Sequence, residues 1–172
     1  GGNSGIGLEL AKRFHGMGSR IIVVSRSQKN WKCLDALHPN IQCFQCDISK
    51  KNDIEHLVKD LHDNRIDIDV LVNNAGVQFS PKLTDPDFEF NDIEHEITTN
   101  LTAVVWLSSL LLPQLLRQKK ALIVNVSSGL AIHPKTSSAV YCATKAAVHS
   151  FSQSLRYQLA QTPVSVVEIL LP

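Results

Sequence analysis

Three side chains in the C-terminal half have the types and spacing used in acid–base catalysis. Tyr141 and Lys145 stand at i and i+4 in "YCATK", on one face of a predicted helix. A free tyrosine has a pKa of about 10, too high for efficient proton transfer at neutral pH. A neighbouring ammonium group favours the phenolate and lowers that pKa. Lys145 is therefore predicted to activate Tyr141 as an acid/base.

Two further polar residues are candidates for the same site. Ser128 ends the apolar run "ALIVNVSS" and is predicted to donate to a substrate oxygen as negative charge develops there. One preorganised donor of this kind contributes about 3 kcal/mol. Asn100 interrupts the apolar segment "TTNLTAVVWL". It could hold a water that connects Lys145 to solvent, or it could be a satisfied core amide, and the sequence leaves both open.

The chain opens with a glycine-rich turn, "GGNSGIG", that fits the pattern G-x-x-x-G-x-G. Such glycines permit a tight turn, close approach of a pyrophosphate and close helix packing, and the following helix N-terminus favours anions. A nucleoside triphosphatase loop would need a lysine after its last glycine, where Leu8 stands. The predicted cofactor contacts in this turn are Gly1, Asn3, Ser4, Gly5, Ile6 and Gly7.

The run "VVSRS" bears on the choice between NAD and NADP. Ser25 stands where a fold that prefers NAD carries a carboxylate, and Arg26 follows it. A guanidinium can pair with a 2′-phosphate through two hydrogen bonds. Both residues are predicted cofactor contacts, and NADP(H) is favoured over NAD(H). The alternative for Arg26 is a solvated loop residue.

The ends of two later strands supply the remaining predicted cofactor contacts. Asp47, followed by Ile48, could bind the adenine amino group or could cap the next helix. In "NNAG", Asn73 is predicted to tie neighbouring strands together. The next three residues, Asn74, Ala75 and Gly76, are predicted to lie beside the adenosine ribose, with a plain asparagine-rich turn as the alternative.

Short apolar runs alternate with helical patterns along the whole chain. The predicted strands are Arg20 to Ser25, Ile41 to Cys46, Ile68 to Asn74, Ala121 to Ser128 and Val164 to Pro172. The predicted helices are Gly5 to Met17, Trp31 to Leu37, Asp53 to Asn64, Asn91 to Gln118 and Ala139 to Gln161. This order is typical of an α/β, Rossmann-like doubly wound parallel sheet, here a single NAD(P)-binding domain over residues 1–172.

A glycine-rich turn of this type normally follows a strand at the centre of the sheet. No strand precedes Gly1, and the last apolar run stops at Pro172. We therefore expect this chain to be a fragment of a longer protein, and we expect the first strand of that protein to be missing from the fragment.

Composition narrows the class of partner. The 172 residues are 44% hydrophobic and 19% charged, with a formal net charge of +1, so the basic excess of a nucleic-acid-binding protein is missing. The predicted partner is a small-molecule substrate, and binding to nucleic acid or to a membrane is not predicted. The uncharged stretch Ile97 to Leu116 carries several polar residues, which favours a buried helix over a membrane span.

The four cysteines, Cys33, Cys43, Cys46 and Cys142, lack paired metal-ligand spacing. The pattern "CFQC" is a weak metal or redox signal, because it lies in a predicted strand where residues three apart point to opposite faces. No metal site is predicted. Reduced thiols of this kind are typical of a cytoplasmic protein.

Taken in order, GGNSGIG, NNAG, the helical Asn100, the strand-ending Ser128 and Y-x-x-x-K resemble the short-chain dehydrogenase/reductase family over the whole chain. The resemblance implies that Tyr141 is the acid/base and that Lys145 holds the nicotinamide ribose and lowers the tyrosine pKa. It further implies that Ser128 positions the substrate and that Asn100 completes a tetrad. The segments "SSGLAIHP" and "YCATKAAVHSFSQSLRYQL" are similar in particular to oxidoreductases of the lipoteichoic-acid D-alanylation operon.

The resemblance implies an NAD(P)-dependent alcohol dehydrogenase or carbonyl reductase. It also implies that a C-terminal substrate lid and a last strand follow in the full protein. The resemblance further implies a homodimer or homotetramer through the small and apolar helix face of Ala143, Ala146, Ala147, Phe151 and Leu155, for which packing on the sheet is the alternative. Two alternatives are a non-catalytic dinucleotide-binding protein and a truncated, inactive form that pairs with intact subunits.

Overall fold

A computed structural model describes residues 1–28, 31, 34, 41–79, 84 and 90–172 of the chain. Helices and strands alternate through these residues as the sequence predicts. The helices are α1 (Gly5–Gly16), α2 (Lys51–Asp63), α3 (Phe90–Ile97), α4 (Ala103–Leu115) and α5 (Ala139–Gln158). The strands are β1 (Ile21–Ser25), β2 (Ile41–Gln45), β3 (Val70–Asn73), β4 (Ala121–Ser128) and β5 (Val164–Leu171). The helix predicted from Trp31 to Leu37 lies mostly outside the described residues.

The described strands are all parallel and form two groups. β1 pairs with β2, from Ile21 opposite Ile41 to Ser25 opposite Gln45. The other three strands are ordered β3-β4-β5. Their apolar sequences have little alternation because helices cover parallel sheets on both faces. The fold class is therefore the α/β, Rossmann-type class that the sequence predicts.

A cavity of about 300 Å³ lies between the two groups of strands. Its walls include residues 21–24 of β1 and 70–73 of β3, with Leu57 and Leu111 among the apolar helix residues around it. The sequence analysis expects a central strand at this place in the fold. That expectation stays a prediction.

Two hydrophobic clusters hold the helices on the strands. The larger joins α2, α4, α5, β4 and β5, with Ile54, Leu115 and Ile123 fully buried at its centre. The smaller cluster consists of Ala11, Val23, Leu34 and Ile41. The first cluster supports the end of the chain that carries Tyr141, while the second supports the glycine-rich turn.

The sequence predicts one helix from Asn91 to Gln118, and this prediction is wrong in the middle. A π-helical turn, Thr98–Thr102, separates α3 from α4. The widened turn carries Asn100. The side-chain amide of Asn100 forms hydrogen bonds with the backbone N–H and carbonyl of Val77. Such π-helical turns are frequent at functional sites.

Helix α5 ends at Gln158, before the predicted Gln161. The backbone N–H of Thr162 donates to the carbonyl of Leu159 at 3.0 Å, and its hydroxyl donates to the same carbonyl at 2.8 Å. This turn satisfies the helix end and directs the chain into β5. Within the part of the chain that the structure describes, no helix combines the length and apolarity needed to cross a bilayer.

Candidate active site

The three residues predicted to carry catalysis meet at the carboxyl end of β4. Ser128 is the last residue of that strand, and Tyr141 and Lys145 are one turn apart on α5. The Lys145 Nζ lies 5.5 Å from the centre of the Tyr141 ring. The Ser128 hydroxyl is close enough to the phenol to act on its pKa. This edge is where doubly wound sheets bind their ligands.

The Lys145 ammonium is held by backbone. Its side chain is buried, and Nζ donates to the carbonyl of Val126 at 2.9 Å. The Ser127 hydroxyl donates to the Lys145 carbonyl at 3.3 Å, which joins α5 to β4 at the same level. Burial lowers the pKa of Lys145 below its usual value, because the charged form loses hydration.

The pKa of Tyr141 differs from the sequence expectation. Burial raises it above the usual value, while the hydrogen bond from Ser128 alone would lower it. The negative charges of Glu96 and Cys142 raise it further. The Lys145 ammonium, 5.5 Å from the centre of the Tyr141 ring, donates to the Val126 carbonyl.

Asn100 is 1% exposed and has protein partners on both sides of its amide. Its Oδ1 accepts the N–H of Val77 at 2.8 Å, and its Nδ2 donates to the Val77 carbonyl at 2.8 Å and to the Thr144 hydroxyl at 3.3 Å. Of the two possibilities that the sequence leaves open, this geometry favours the satisfied core amide for the side chain. Asn100 thus fixes the segment after β3 against α5.

Two more side chains fix the same segment. Gln78 Nε2 donates to the Ser138 hydroxyl at 2.8 Å, at the start of α5. The N–H of Phe79 donates to Glu96 Oε1 at 3.1 Å. Sequence reasoning missed Glu96. The available signal is its place four residues before Asn100, which puts a carboxyl on the same inward helix face.

The glycine-rich turn forms a cradle at the start of α1. Gly5 has a φ of 52°, a backbone conformation that residues other than glycine rarely adopt. A Cβ on Gly7 would collide with the carbonyl oxygen of Gly1 and lie 2.7 Å from Asn74 Nδ2. Ser4 precedes the helix without a side-chain cap, and no acidic residue lies in the first turn. The turn therefore presents backbone N–H groups at a positive helix end.

The other predicted residues of this turn lie at its rim. Ile6 is 50% exposed, and Asn3 Nδ2 donates to the Ser27 carbonyl at 3.2 Å. Asn74 Nδ2 donates to the Gly1 carbonyl at 3.1 Å, which ties the end of β3 to the turn. Ala75 packs against Gly1 so closely that a Cβ on Gly1 would lie 2.8 Å from the Ala75 Cα.

Ser25 is buried, its Oγ donates to the Ser27 carbonyl at 3.0 Å, and it accepts from Trp31 Nε1 at 2.9 Å. Its predicted role as a cofactor contact stays a prediction. Arg26 is exposed, with its guanidinium 3.4 Å from His95 Nε2 across the cleft.

Asp47 forms a local turn after β2. Its Oδ1 accepts the N–H of Ser49 at 3.1 Å and the Ser49 hydroxyl at 2.7 Å. Burial alone would raise the pKa of Asp47, but these bonds and the charges of Arg26 and Lys50 hold it below its usual value. Ile48 packs against the larger hydrophobic cluster.

The NNAG segment has the strand-tying role predicted for its first residue. Asn73 Nδ2 donates to Asn125 Oδ1 at 2.8 Å and to the Ser108 hydroxyl at 3.2 Å, so its prediction is confirmed. Gly76 lies beneath Asn100 and Lys145, and a Cβ there would lie 3.8 Å from Nζ. Among the described residues, no group of three or more potential metal ligands comes together.

Comparisons with known proteins agree with this geometry. A family model described as short chain dehydrogenase matches residues 1–172. The uncharacterized oxidoreductase DltE of Bacillus subtilis is 43% identical over 175 residues, which cover 100% of this chain and 68% of that protein. The chain thus spans about two thirds of the length of this relative.

Solved structures show the same fold. Serine dehydrogenase from Escherichia coli is similar with a TM-score of 0.90 and 32% identity, over 99% of this chain and 79% of that one. A metagenomic short-chain oxidoreductase in complex with NADP has a TM-score of 0.91 and 25% identity, over 99% and 78%. A 4-hydroxyisoleucine dehydrogenase complexed with NADH and succinate has a TM-score of 0.88 and 23% identity, over 99% and 76%. The chain belongs to the short-chain dehydrogenase family of oxidoreductases.

Proposed function

We propose that the full protein transfers a hydride between NADP(H) and a carbonyl or secondary alcohol, with Tyr141 as the acid/base. The observation that carries this proposal is the convergence of Ser128, Tyr141 and Lys145 at the carboxyl end of β4. A phenol, a hydroxyl and an ammonium beside one another can serve a single carbonyl oxygen. A non-catalytic dinucleotide-binding protein would not need all three.

The residues present fit a dinucleotide. The glycine-rich turn is tightly packed, because a Cβ on Gly7 would collide with the Gly1 carbonyl oxygen, and the uncapped start of α1 offers backbone donors to a pyrophosphate. Lys145 uses one donor on Val126, and an ammonium group has two more for the hydroxyls of a ribose. Hydride acceptance or donation is the chemistry that a bound nicotinamide supplies.

Each catalytic side chain then has one task. In the reductive direction, the Tyr141 phenol gives its proton to the substrate oxygen, and in the oxidative direction its phenolate removes that proton. The Ser128 hydroxyl donates to the same oxygen while negative charge is present. The Lys145 ammonium, 5.5 Å from the centre of the Tyr141 ring, would stabilise the phenolate.

The preference for NADP(H) rests on Arg26. Its exposed guanidinium is free to turn from the His95 contact toward a 2′-phosphate, and no carboxylate follows β1 to repel that phosphate. The similar structures do not decide the matter, because one holds NADP and another NADH. The cofactor preference is therefore argued from this chain's own residues.

Two further features of the proposal concern the setting of the enzyme. A homodimer or homotetramer stays a prediction. On the α5 face named for it, Leu155 is buried within the chain, whereas Ala143 is exposed. A cytoplasmic location also stays a prediction, in keeping with the reduced state of Cys46 and Cys142.

The test is turnover of the full-length protein with NADP⁺ or NADPH and a panel of L-serine, simple secondary alcohols and the matching carbonyls. We expect Tyr141→Phe to lower the rate by about 100-fold or more, because general acid–base catalysis contributes that much. Tyr157→Phe is the control, since Tyr157 is 81% exposed on the same helix. Equal turnover in the wild type and Tyr141→Phe would exclude Tyr141 as the acid/base.

A further inference from the structure

Glu96 is a carboxyl group enclosed beside the candidate active site. It lies on α3 and is 0% exposed. Its Oε1 accepts the Phe79 N–H, but no donor from the described residues reaches Oε2. Buried polar atoms without partners are rare in native proteins, and functional sites are one place where they persist. The polar environment of Glu96 therefore needs an explanation beyond packing.

A second buried oxygen lies one helical turn from Glu96. Thr99 is 6% exposed, and its hydroxyl also has no partner among the described residues. The i, i+3 spacing places both side chains on the same side of their helix. Two unpaired oxygens so close together form a polar spot at the edge of the catalytic residues, not an isolated packing defect.

The position of Glu96 connects it to Tyr141 and to the segment after β3. Helix α3 packs against α5, which carries Tyr141. Through Phe79, the Glu96 carboxyl also fixes the backbone that follows the NNAG motif. Glu96 thus fixes the segment after β3 from a helix that packs against the helix carrying Tyr141.

We propose that Glu96 is a positioning residue that anchors the Phe79 backbone and whose charge holds the proton on the Tyr141 phenol. When ionised, the carboxylate opposes a second negative charge nearby and keeps Tyr141 in the form that donates a proton to a carbonyl. When neutral, it removes that opposition. This inference deepens the proposed function, since it concerns how readily the same acid/base changes state.

The surrounding charges agree with this role. Burial raises the pKa of Glu96, the Phe79 N–H acts in the opposite direction, and Asp92 on the same helix raises it further. The Glu96 charge in turn raises the pKa of Tyr141. On α5, the one nearby cation is Lys145, whose ammonium is directed at the Val126 carbonyl. His95 faces Phe79 and Arg26 instead of Tyr141.

The direct test is a spectroscopic titration of the Tyr141 phenol in the full-length protein without substrate. Tyrosinate absorbance is followed against pH, with Tyr141→Phe in each background as the blank that removes all other tyrosines. We expect Glu96→Gln to lower the pKa of Tyr141, because the substitution removes a negative charge that raises it. The amide keeps the acceptor for Phe79 and removes only the charge.

Glu94→Gln is the matched control, because Glu94 is exposed on the same helix. It is expected to leave the titration unchanged. If the phenol titrates at the same or a higher pH in Glu96→Gln than in the wild type, Glu96 has a structural role only and the inference is wrong. An equal shift in Glu94→Gln would likewise overturn it, since the effect would then be one of net charge.

A second measurement needs no variant at position 96. In wild-type protein labelled at the tyrosine Cζ carbon, the Tyr141 resonance should show a small inflection on the acid side as Glu96 ionises. A flat acid side would contradict the proposal. Neither experiment uses turnover, so a failure of the proposed reaction, seen as full activity in Tyr141→Phe, is distinguishable from a failure of this inference.

Where activity is present, the kinetic consequence has a definite sign. Alcohol oxidation needs the phenolate, so the rising limb of its rate against pH should move to lower pH in Glu96→Gln. At pH values low enough to protonate Glu96, the wild type already lacks the charge, and the two proteins should converge. If Glu96→Gln only disturbed the structure, the rate would fall by the same factor at every pH and the rising limb would stay at the same pH.

Discussion

The catalytic end and the cofactor end of this domain are built differently. At the catalytic end, Asn100, Ser128 and Lys145 are each 5% exposed or less, and strands and helices hold them through hydrogen bonds. At the cofactor end, Ile6 is 50% exposed and the exposed Arg26 guanidinium lies 3.4 Å from His95 Nε2. One end is ordered by the protein itself, whereas the other offers contacts for a ligand to complete.

This difference separates rate from affinity. Chemistry depends on atoms that remain within a fraction of an ångström of their working positions, and buried networks provide that precision. Cofactor choice depends on a few exposed charges, each of which contributes little in water. Substitutions at the catalytic end should therefore change turnover or stability, and those at the cofactor rim should change cofactor affinity.

The largest effect is expected at Ser128. Ser128→Ala removes the donor that we propose for the substrate oxygen and should lower the turnover rate about 100-fold or more, with little change in NADPH affinity. Steady-state kinetics and fluorescence titration of the cofactor measure the two quantities. Ser150→Ala, on the exposed side of α5, is the control. A parallel loss of rate and cofactor affinity at Ser128 would break the separation between the two ends.

A smaller effect, on stability, is expected from the amide pair beneath the site. Asn125 is 0% exposed and links Asn73, at 2.8 Å, to the Ser152 hydroxyl, at 2.9 Å. Asn125→Ala should lower the free energy of unfolding by about 2 to 3 kcal/mol, because partners are left unsatisfied in the interior. Denaturant titration measures this loss, and Asn52→Ala on the exposed side of α2 is the control.

A double-mutant cycle sharpens that prediction. Asn73→Ala and Asn125→Ala together should cost less than the sum of the single losses, by at least about 0.5 kcal/mol, because each change removes the same bond. Strict additivity would mean that the 2.8 Å contact contributes nothing to stability. The catalytic end would then be held by its apolar cluster alone.

The sequence predicts the two ends with unequal success, for a physical reason. Tyr141, Lys145 and Ser128 meet as predicted, because helix periodicity and a strand ending at the sheet edge are local properties. Ser25 is predicted as a cofactor contact from its position alone, and that role stays a prediction, while its hydroxyl accepts from the Trp31 indole, a side-chain contact that the strand pattern does not contain.

The same limit explains the two surprises near Tyr141. The π-helical turn at Thr98–Thr102 depends on bonds between Asn100 and Val77, which come from distant parts of the chain. The Tyr141 pKa depends on burial and on Glu96, whose inward orientation follows from how α3 packs on α5. Spacing predicts which side chains meet, whereas their protonation states depend on the packing around them.

The smallest effect is expected at the cofactor rim. Arg26→Ala should reduce the preference for NADPH over NADH about tenfold, the loss of one charge-assisted contact to a phosphate, and leave the NADH affinity nearly unchanged. Fluorescence titration with both cofactors measures the ratio. Arg20→Ala, at the opposite end of β1, removes the same charge and should leave the ratio as it is. Because Arg26 is exposed and distant from Ser128, turnover with saturating cofactor should also be retained. An unchanged ratio would make Arg26 the solvated loop residue that the sequence also allows, and a fall in saturated turnover would mean that the two ends are coupled.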